Sequence, residues 1–236
     1  MAVDDSLTKV LLHFDGAGTV FTDESGKTWT AVNNAQLDTA QFKFGSASGL
    51  FDGVNDYIYT ADHADFVLGT NDFTIDCQIR LAAAVGSGLA YVIYSQSAGT
   101  GDRFFLSLYY DGASYLSQLY ASSAGPAYLN ALSGTFALAT GNWYHLAVTK
   151  NVGTFRFFVN GTQQGTAPVD TSEIANYGTT PTIGVETHTL TGDFNGWMDE
   201  FRFGNGTARW TANFTAPTSA YAPPITSYPQ LIMMGG

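Results

Sequence analysis

From Phe73 to Leu81 the sequence reads Phe-Thr-Ile-Asp-Cys-Gln-Ile-Arg-Leu, an unbroken alternation of apolar and polar residues. A period of two places the two sets on opposite faces of an extended strand, so this segment has one core face and one wet face. Phe155, Phe157 and Val159 alternate in the same way with Arg156 and Phe158, and Asn160-Gly161 behind them supplies the positive-φ turn of a tight hairpin. A return strand rich in Thr, Gln and Gly is expected over 162–167. Helical periodicity is scarce, and short apolar or alternating runs bounded by Gly, Asn, Asp and Ser recur from end to end. The candidate strands are Val10–Phe14, Ser48–Phe51, Tyr57–Thr60, Phe73–Arg80, Ala90–Ser95, Arg103–Tyr109, Tyr115–Tyr120, Trp143–Lys150, Thr154–Val159, Thr182–Val185 and Phe194–Phe203. So many short strands at this spacing predict an all-β fold, an antiparallel two-sheet jelly-roll sandwich larger than an immunoglobulin module.

A chain of 236 residues fits one such sandwich. Its 17 Phe, 13 Tyr and 4 Trp supply enough apolar area for a two-layer core, which excludes disorder on composition. Nine basic against twenty acidic side chains argue against a nucleic-acid partner, which demands clustered Lys and Arg. The lone Cys77 excludes a disulfide framework and a cysteine-based zinc cluster, and reads as a buried thiol. The opening MAVDDSLTKV lacks the basic and apolar regions of a signal peptide, and no run approaches a membrane span, so synthesis in a cytoplasm without membrane insertion is expected. No repeat of solenoid or propeller length is visible.

Four segments together resemble one family: LLHFDGAGTVFTDESGKTW, then GLFDGVNDYIY with NDFTIDCQIRL, then GNWYHLAVTKNVGTFRFFVNGTQQG, and finally FNGWMDEFRFGNGTARWTANFTAPTSAY. In order and spacing they are similar to the laminin-G-like branch of the concanavalin A-like jelly rolls, over about 9–221. The opening LLHFDG and the closing segment are similar to the variety found in tailed-phage virion proteins. The resemblance implies a non-catalytic virion structural protein of a tailed bacteriophage, such as a capsid decoration, fibre or tail-associated component, made in the host cytoplasm. The alternative it implies is an adhesin that recognises host-surface glycans. Other virion proteins and copies of the same chain are the expected partners. The arm 1–8 and the Pro-rich tail 222–236 lie outside the pattern, and Pro223, Pro224, Tyr228, Leu231, Ile232, Met233 and Met234 are expected to contact neighbouring subunits. Folds of this kind often carry a structural calcium between first and last strands, and by that resemblance Asp15 and Asp199 are the expected ligands.

Read as residues, most other candidates are structural. Trp143-Tyr144-His145-Leu146-Ala147-Val148 is apolar on both faces, as in a central strand, and His145 reads as a hydrogen-bonded core histidine. Asn160, Asn205 and Asn213 open sequon-like triplets but read as turn residues, as do Asp52 to Asp56. Simple alternation groups Asp199 with Trp197 and Phe201 on one face, and Glu200 with Met198 and Arg202 on the other. A carboxylate among aromatics is costly to bury unless paired or metal-bound. EF-hand, P-loop, paired-histidine and nucleophile-elbow patterns are missing, and Glu24, Glu173, Glu186 and Glu200 form no glucanase-like acidic cluster, so no enzyme is expected. Tyr91, Tyr94, Tyr109, Tyr110, Tyr115, Tyr120 and Tyr128 are the aromatic candidates for a sugar platform, with Asp102, Arg103 and Asp111 for polar contacts.

Overall fold

The computed structural model describes residues 6–99, 101–122, 128–186 and 192–224. In chain order these hold β1 (Thr8–Leu12), β2 (Phe21–Thr22), β3 (Thr28–Val32), β4 (Gln36–Asp38), β5 (Ser48–Asp52), β6 (Tyr57–Tyr59), β7 (Phe73–Leu81) and β8 (Leu89–Gly99). There follow β9 (Asp102–Tyr110), β10 (Tyr115–Ser122), β11 (Tyr128–Leu132), β12 (Trp143–Asn151), β13 (Thr154–Val159), β14 (Thr162–Gln163), β15 (Thr182–Ile183) and β16 (Asn195–Asn205). One turn of 3-10 helix, Ala64–Phe66, is the one helical element among the described residues, and no helix there is long and apolar enough to cross a membrane.

The strands form two antiparallel sheets. The first runs β14-β13-β12-β7-β16-β5-β4, with β1 pairing β16 beyond the end of β5. The second runs β11-β10-β9-β8-β15-β6-β3-β2. The alternation of β7 holds throughout: Phe73, Ile75, Cys77, Ile79 and Leu81 are buried in the common core. From the second sheet Ile93, Tyr94, Phe104, Leu106 and Leu108 meet them, and rings cross the interface, with Phe73 edge-on to Phe104 at 6.3 Å and Tyr94 tilted on Phe203 at 5.3 Å. Burying each such side chain stabilises the sandwich by about 1.5–3 kcal/mol. Cys77 is the buried free thiol.

The sequence-derived strands recur with shifted ends: those at β7, β8, β9, β10 and β12 run one or more residues longer than expected, and others are shorter. The return strand expected over 162–167 is only two residues long, and Thr182–Val185 contracts to β15. The short strands β3 and β4 escape a period-2 reading because each buries little, chiefly Trp29 and Leu37.

The grouping of Asp199 with Phe201 is corrected by a bulge. Asp199 pairs with Gln78 and Arg202 with Asp76, so β16 spends one residue more than β7 over that interval, and Glu200 takes φ of 51° there. The extra residue reverses the alternation. Phe201 therefore joins Met198 and Phe203 in the core, and Asp199 shares the outer face with Trp197 and Arg202.

That outer face is covered by the chain itself. Past β16, residues 206–224 fold back across the first sheet as a strap. Arg209 N–H donates to Thr74 Oγ1 (2.9 Å), Thr149 Oγ1 to the Trp210 carbonyl (2.8 Å), Phe214 N–H to the Gly161 carbonyl (2.9 Å) and Tyr221 N–H to Glu200 Oε2 (2.8 Å). Trp210 and Phe214 stack at 4.0 Å and present their rings to the edge of His145. Of the expected subunit contacts, Pro223 and Pro224 end the strap, whereas Tyr228, Leu231, Ile232, Met233 and Met234 lie outside the described residues, as do residues 1–5 of the arm.

Candidate functional site

Two places concentrate polar chemistry, one under the strap and one on the opposite sheet. Under the strap, Asp76 is fully buried and receives Arg202 through Nε at 2.9 Å and Nη2 at 3.2 Å. His145 Nε2 lies 3.2 Å from Asp76 Oδ2, and the Tyr221 hydroxyl donates to the same oxygen. Arg202 is also capped by the Tyr221 ring, its guanidinium carbon 3.7 Å from the centroid. Burial raises the Asp76 carboxyl, but the Arg202 charge and the His145 bond outweigh it and hold it at about 2. His145 is thus hydrogen-bonded as expected, though on the strap side of the sheet and not in the sandwich core. Enclosed by protein and paired, this cluster fastens the third layer and offers no access to a ligand.

The two expected calcium ligands meet the same loop. Asp15 Oδ1 accepts from Ser46 N–H at 2.5 Å and Ser46 Oγ at 2.9 Å, and Asp199 Oδ2 accepts from the N–H groups of Lys43 (2.7 Å) and Phe44 (3.0 Å). Burial pushes the Asp199 carboxyl up to about 7, against the pull of those two N–H bonds. Calcium needs six to eight oxygen ligands. Here positively polarised N–H groups hold the carboxylates, Asp199 Oδ1 is buried without a partner, and among the described residues no three His, Cys, Asp or Glu gather to hold a metal. As arranged, Asp15 and Asp199 are loop clamps and do not by themselves fit the ion that the resemblance implies.

The second place is open. Because Phe104, Leu106 and Leu108 of β9 face the core, Arg103, Phe105, Ser107 and Tyr109 face outward from the second sheet. In register beside them, Tyr120 of β10 stacks on Phe105 with centroids 4.9 Å apart and planes 8° from parallel. The Arg103 guanidinium lies over the Tyr120 ring at 5.3 Å. Next to this stack a groove of about 440 Å³ opens, lined by Arg103, Phe105, Gln118, Tyr91, Glu186 and Asp193 among others. Burial of the Asp193 carboxyl raises its pKa.

Of the tyrosines named from sequence, Tyr91 and Tyr120 belong to this region. Tyr94 and Tyr115 are buried, Tyr110 leans on Tyr115 at 4.8 Å, and the side chain of Tyr128 lies outside the described residues. Arg103 lines the groove, whereas Asp111 caps its own turn by accepting from the Ala113 and Ser114 N–H groups. Phe105, Gln118, Glu186 and Asp193 were not foreseen. The alternation of β9 could have nominated Phe105, but its two faces are both aromatic, and Glu186 and Asp193 come from segments far apart in sequence from β9.

No curated protein matches this chain in sequence. Among solved structures, the binding domain of Paraclostridial Mosquitocidal Protein 1 superposes with a TM-score of 0.65 at 14% identity, covering 86% of this chain and 50% of that one. The receptor binding domain of botulinum neurotoxin D gives 0.63 at 16% identity, covering 88% and 51%. The chain thus spans about half the length of these toxin domains. Domain 4 of AbnA, a GH43 extracellular arabinanase from Geobacillus stearothermophilus solved with arabinotriose, gives 0.58 at 17% identity, covering 84% and 94%. These likenesses concern the fold. The Laminin_G_3 family model matches residues 52–210, most of the sandwich, and on that match the chain belongs to the concanavalin A-like lectin/glucanases superfamily.

Proposed function

We propose that this chain is a non-catalytic glycan-binding module of a tailed-phage virion, working as an adhesin through the groove on the outer face of its second sheet. One observation carries the reading: the Arg103–Tyr120–Phe105 stack stands beside an open groove that also presents Gln118, Glu186 and Asp193. Aromatic surface with a few placed polar groups is what a sugar site needs. The structural neighbours support it, being binding domains of toxins and a domain solved with an arabinotriose. The virion setting rests on the resemblance of the opening and closing segments to phage laminin-G-like domains, with the tail 222–236 as the proposed contact to neighbouring subunits.

The test is a glycan array probed with the intact chain. Binding to host-surface glycans that falls at least tenfold in Phe105→Ala and Arg103→Met, with unchanged thermal midpoints, is the expected result. Absence of glycan binding, together with normal incorporation into particles, would leave a purely structural virion role. Because Glu186 and Asp193 line the same groove, hydrolysis is the rival reading, and release of reducing ends from a bound polysaccharide would establish it.

A further inference from the structure

We infer, building on the reading that the groove holds a glycan, that its ligand is an uncharged oligosaccharide whose neighbouring hydroxyls engage Arg103 and Asp193 together, and that acidic glycans are refused.

The groove holds one donor and one acceptor that the fold leaves unspent. Arg103 Nε is buried without a hydrogen-bond partner, and among the described residues no carboxylate engages its guanidinium, which is held in place by the Tyr120 ring. Asp193 Oδ1 is likewise buried without a partner. Unpaired buried polar groups are costly, so a matching ligand gains by supplying both missing halves. A hydroxyl donates and accepts at once, and two neighbouring hydroxyls give the carboxyl a donor and the guanidinium an acceptor. An apolar ligand would leave both atoms as they are.

An acidic sugar would suit Arg103 alone. Its carboxylate or sulfate would pair with the guanidinium fork, but it would bring that charge beside Asp193 and Glu186 in the same groove. At longer range a chain of net charge -11 repels polyanions before they dock. The apolar ring of Phe105, backed by Tyr120, is left for the C–H face of the sugar.

The experiment presents the intact chain and its variants to an array carrying neutral oligosaccharides and their uronate, sialylated and sulfated counterparts at physiological salt. Expected are binding to neutral members only, at least tenfold loss in Arg103→Met and Asp193→Ala, and admission of acidic members in Asp193→Asn, which keeps an acceptor oxygen but removes the charge. Preferential binding of acidic members by the unmodified chain, lost in Arg103→Met, overturns the inference and leaves the groove as a glycan site. Binding that none of the groove variants alters, or no binding to any member, overturns the groove reading itself. Should Asp193→Ala fail to fold, the preference of the unmodified chain and of Asp193→Asn decides.

Discussion

The hydroxyl of Tyr221 donates to Oδ2 of Asp76, a carboxylate 145 residues earlier in the chain. That bond ties the last stretch of the strap to the central strand β7, and Arg202 and His145 meet the same carboxylate. Removing one donor from a charged acceptor costs about 1.5–3 kcal/mol. Tyr221→Phe is therefore expected to lower the unfolding free energy by about 2 kcal/mol in urea titrations. Asp76→Ala, which removes the buried carboxylate that Arg202, His145 and Tyr221 share, is expected to cost about 3–5 kcal/mol. Equal stability of the three proteins would show that the strap is not fastened here.

Acid stability follows from the same carboxylate. Asp76 titrates at about 2 in the folded chain against an ordinary 3.8, so the unfolded chain binds its proton first as pH falls. The folded value is the lower one, so the stabilisation is complete above about pH 4 and is lost as pH drops towards 2. The displacement corresponds to about 2 kcal/mol. Urea midpoints measured between pH 6 and pH 2 should fall over that window, and Asp76→Asn should remove this component of the fall.

At Gly161 the turn and the strap meet. It has φ of 78°, and a Cβ there would stand 2.0 Å from the Phe214 carbonyl oxygen and 3.1 Å from the Ala216 nitrogen. Gly161→Ala therefore combines left-handed strain with a clash against backbone that cannot swing aside, and a loss of more than about 1 kcal/mol is expected. Since the Phe214 N–H bonds to the Gly161 carbonyl, the strap should loosen at that point. A red shift of tryptophan emission from Trp210 would report it, and an unshifted spectrum with unchanged stability would contradict it.

With Asp15 and Asp199 engaged by the N–H groups of 43–46, the loop is clamped without a metal. EDTA is expected to leave the thermal midpoint unchanged, and added calcium to shift it by less than a degree or so. A calcium-dependent rise of several degrees, abolished in Asp199→Ala, would restore the metal site. Asp199→Ala without any metal is expected to destabilise by about 1–3 kcal/mol through the two stranded N–H groups.

Much of the sandwich was legible because strand alternation is a local property. Phe73 to Leu81 announces both its core face and its wet face, and the turn at Asn160-Gly161 announces the hairpin of β13 and β14 through its positive φ at both residues. Legibility failed where a single backbone torsion intervened. Nothing in Asp199-Glu200-Phe201 signals that Glu200 adopts φ of 51°, and that torsion sends Phe201 inward and Asp199 outward. The candidate site was readable only in fragments. Arg103 and Tyr120 are named by type, but their stacking depends on the register between β9 and β10.

Two stacked pleated layers follow from the residues alone, because period-2 alternation and turn residues act over a few neighbours and need no partner to be read. Which polar residues face water depends on packing between distant segments. Asp76 and His145 sit on the wet face of their strands and are buried all the same, since Trp210, Phe214 and Tyr221 return from the far end of the chain to cover them. Among the described residues no such cover lies over Arg103 and Phe105 where the groove opens. Burial of an outer face is set by contacts between segments distant in sequence, and no local pattern encodes them.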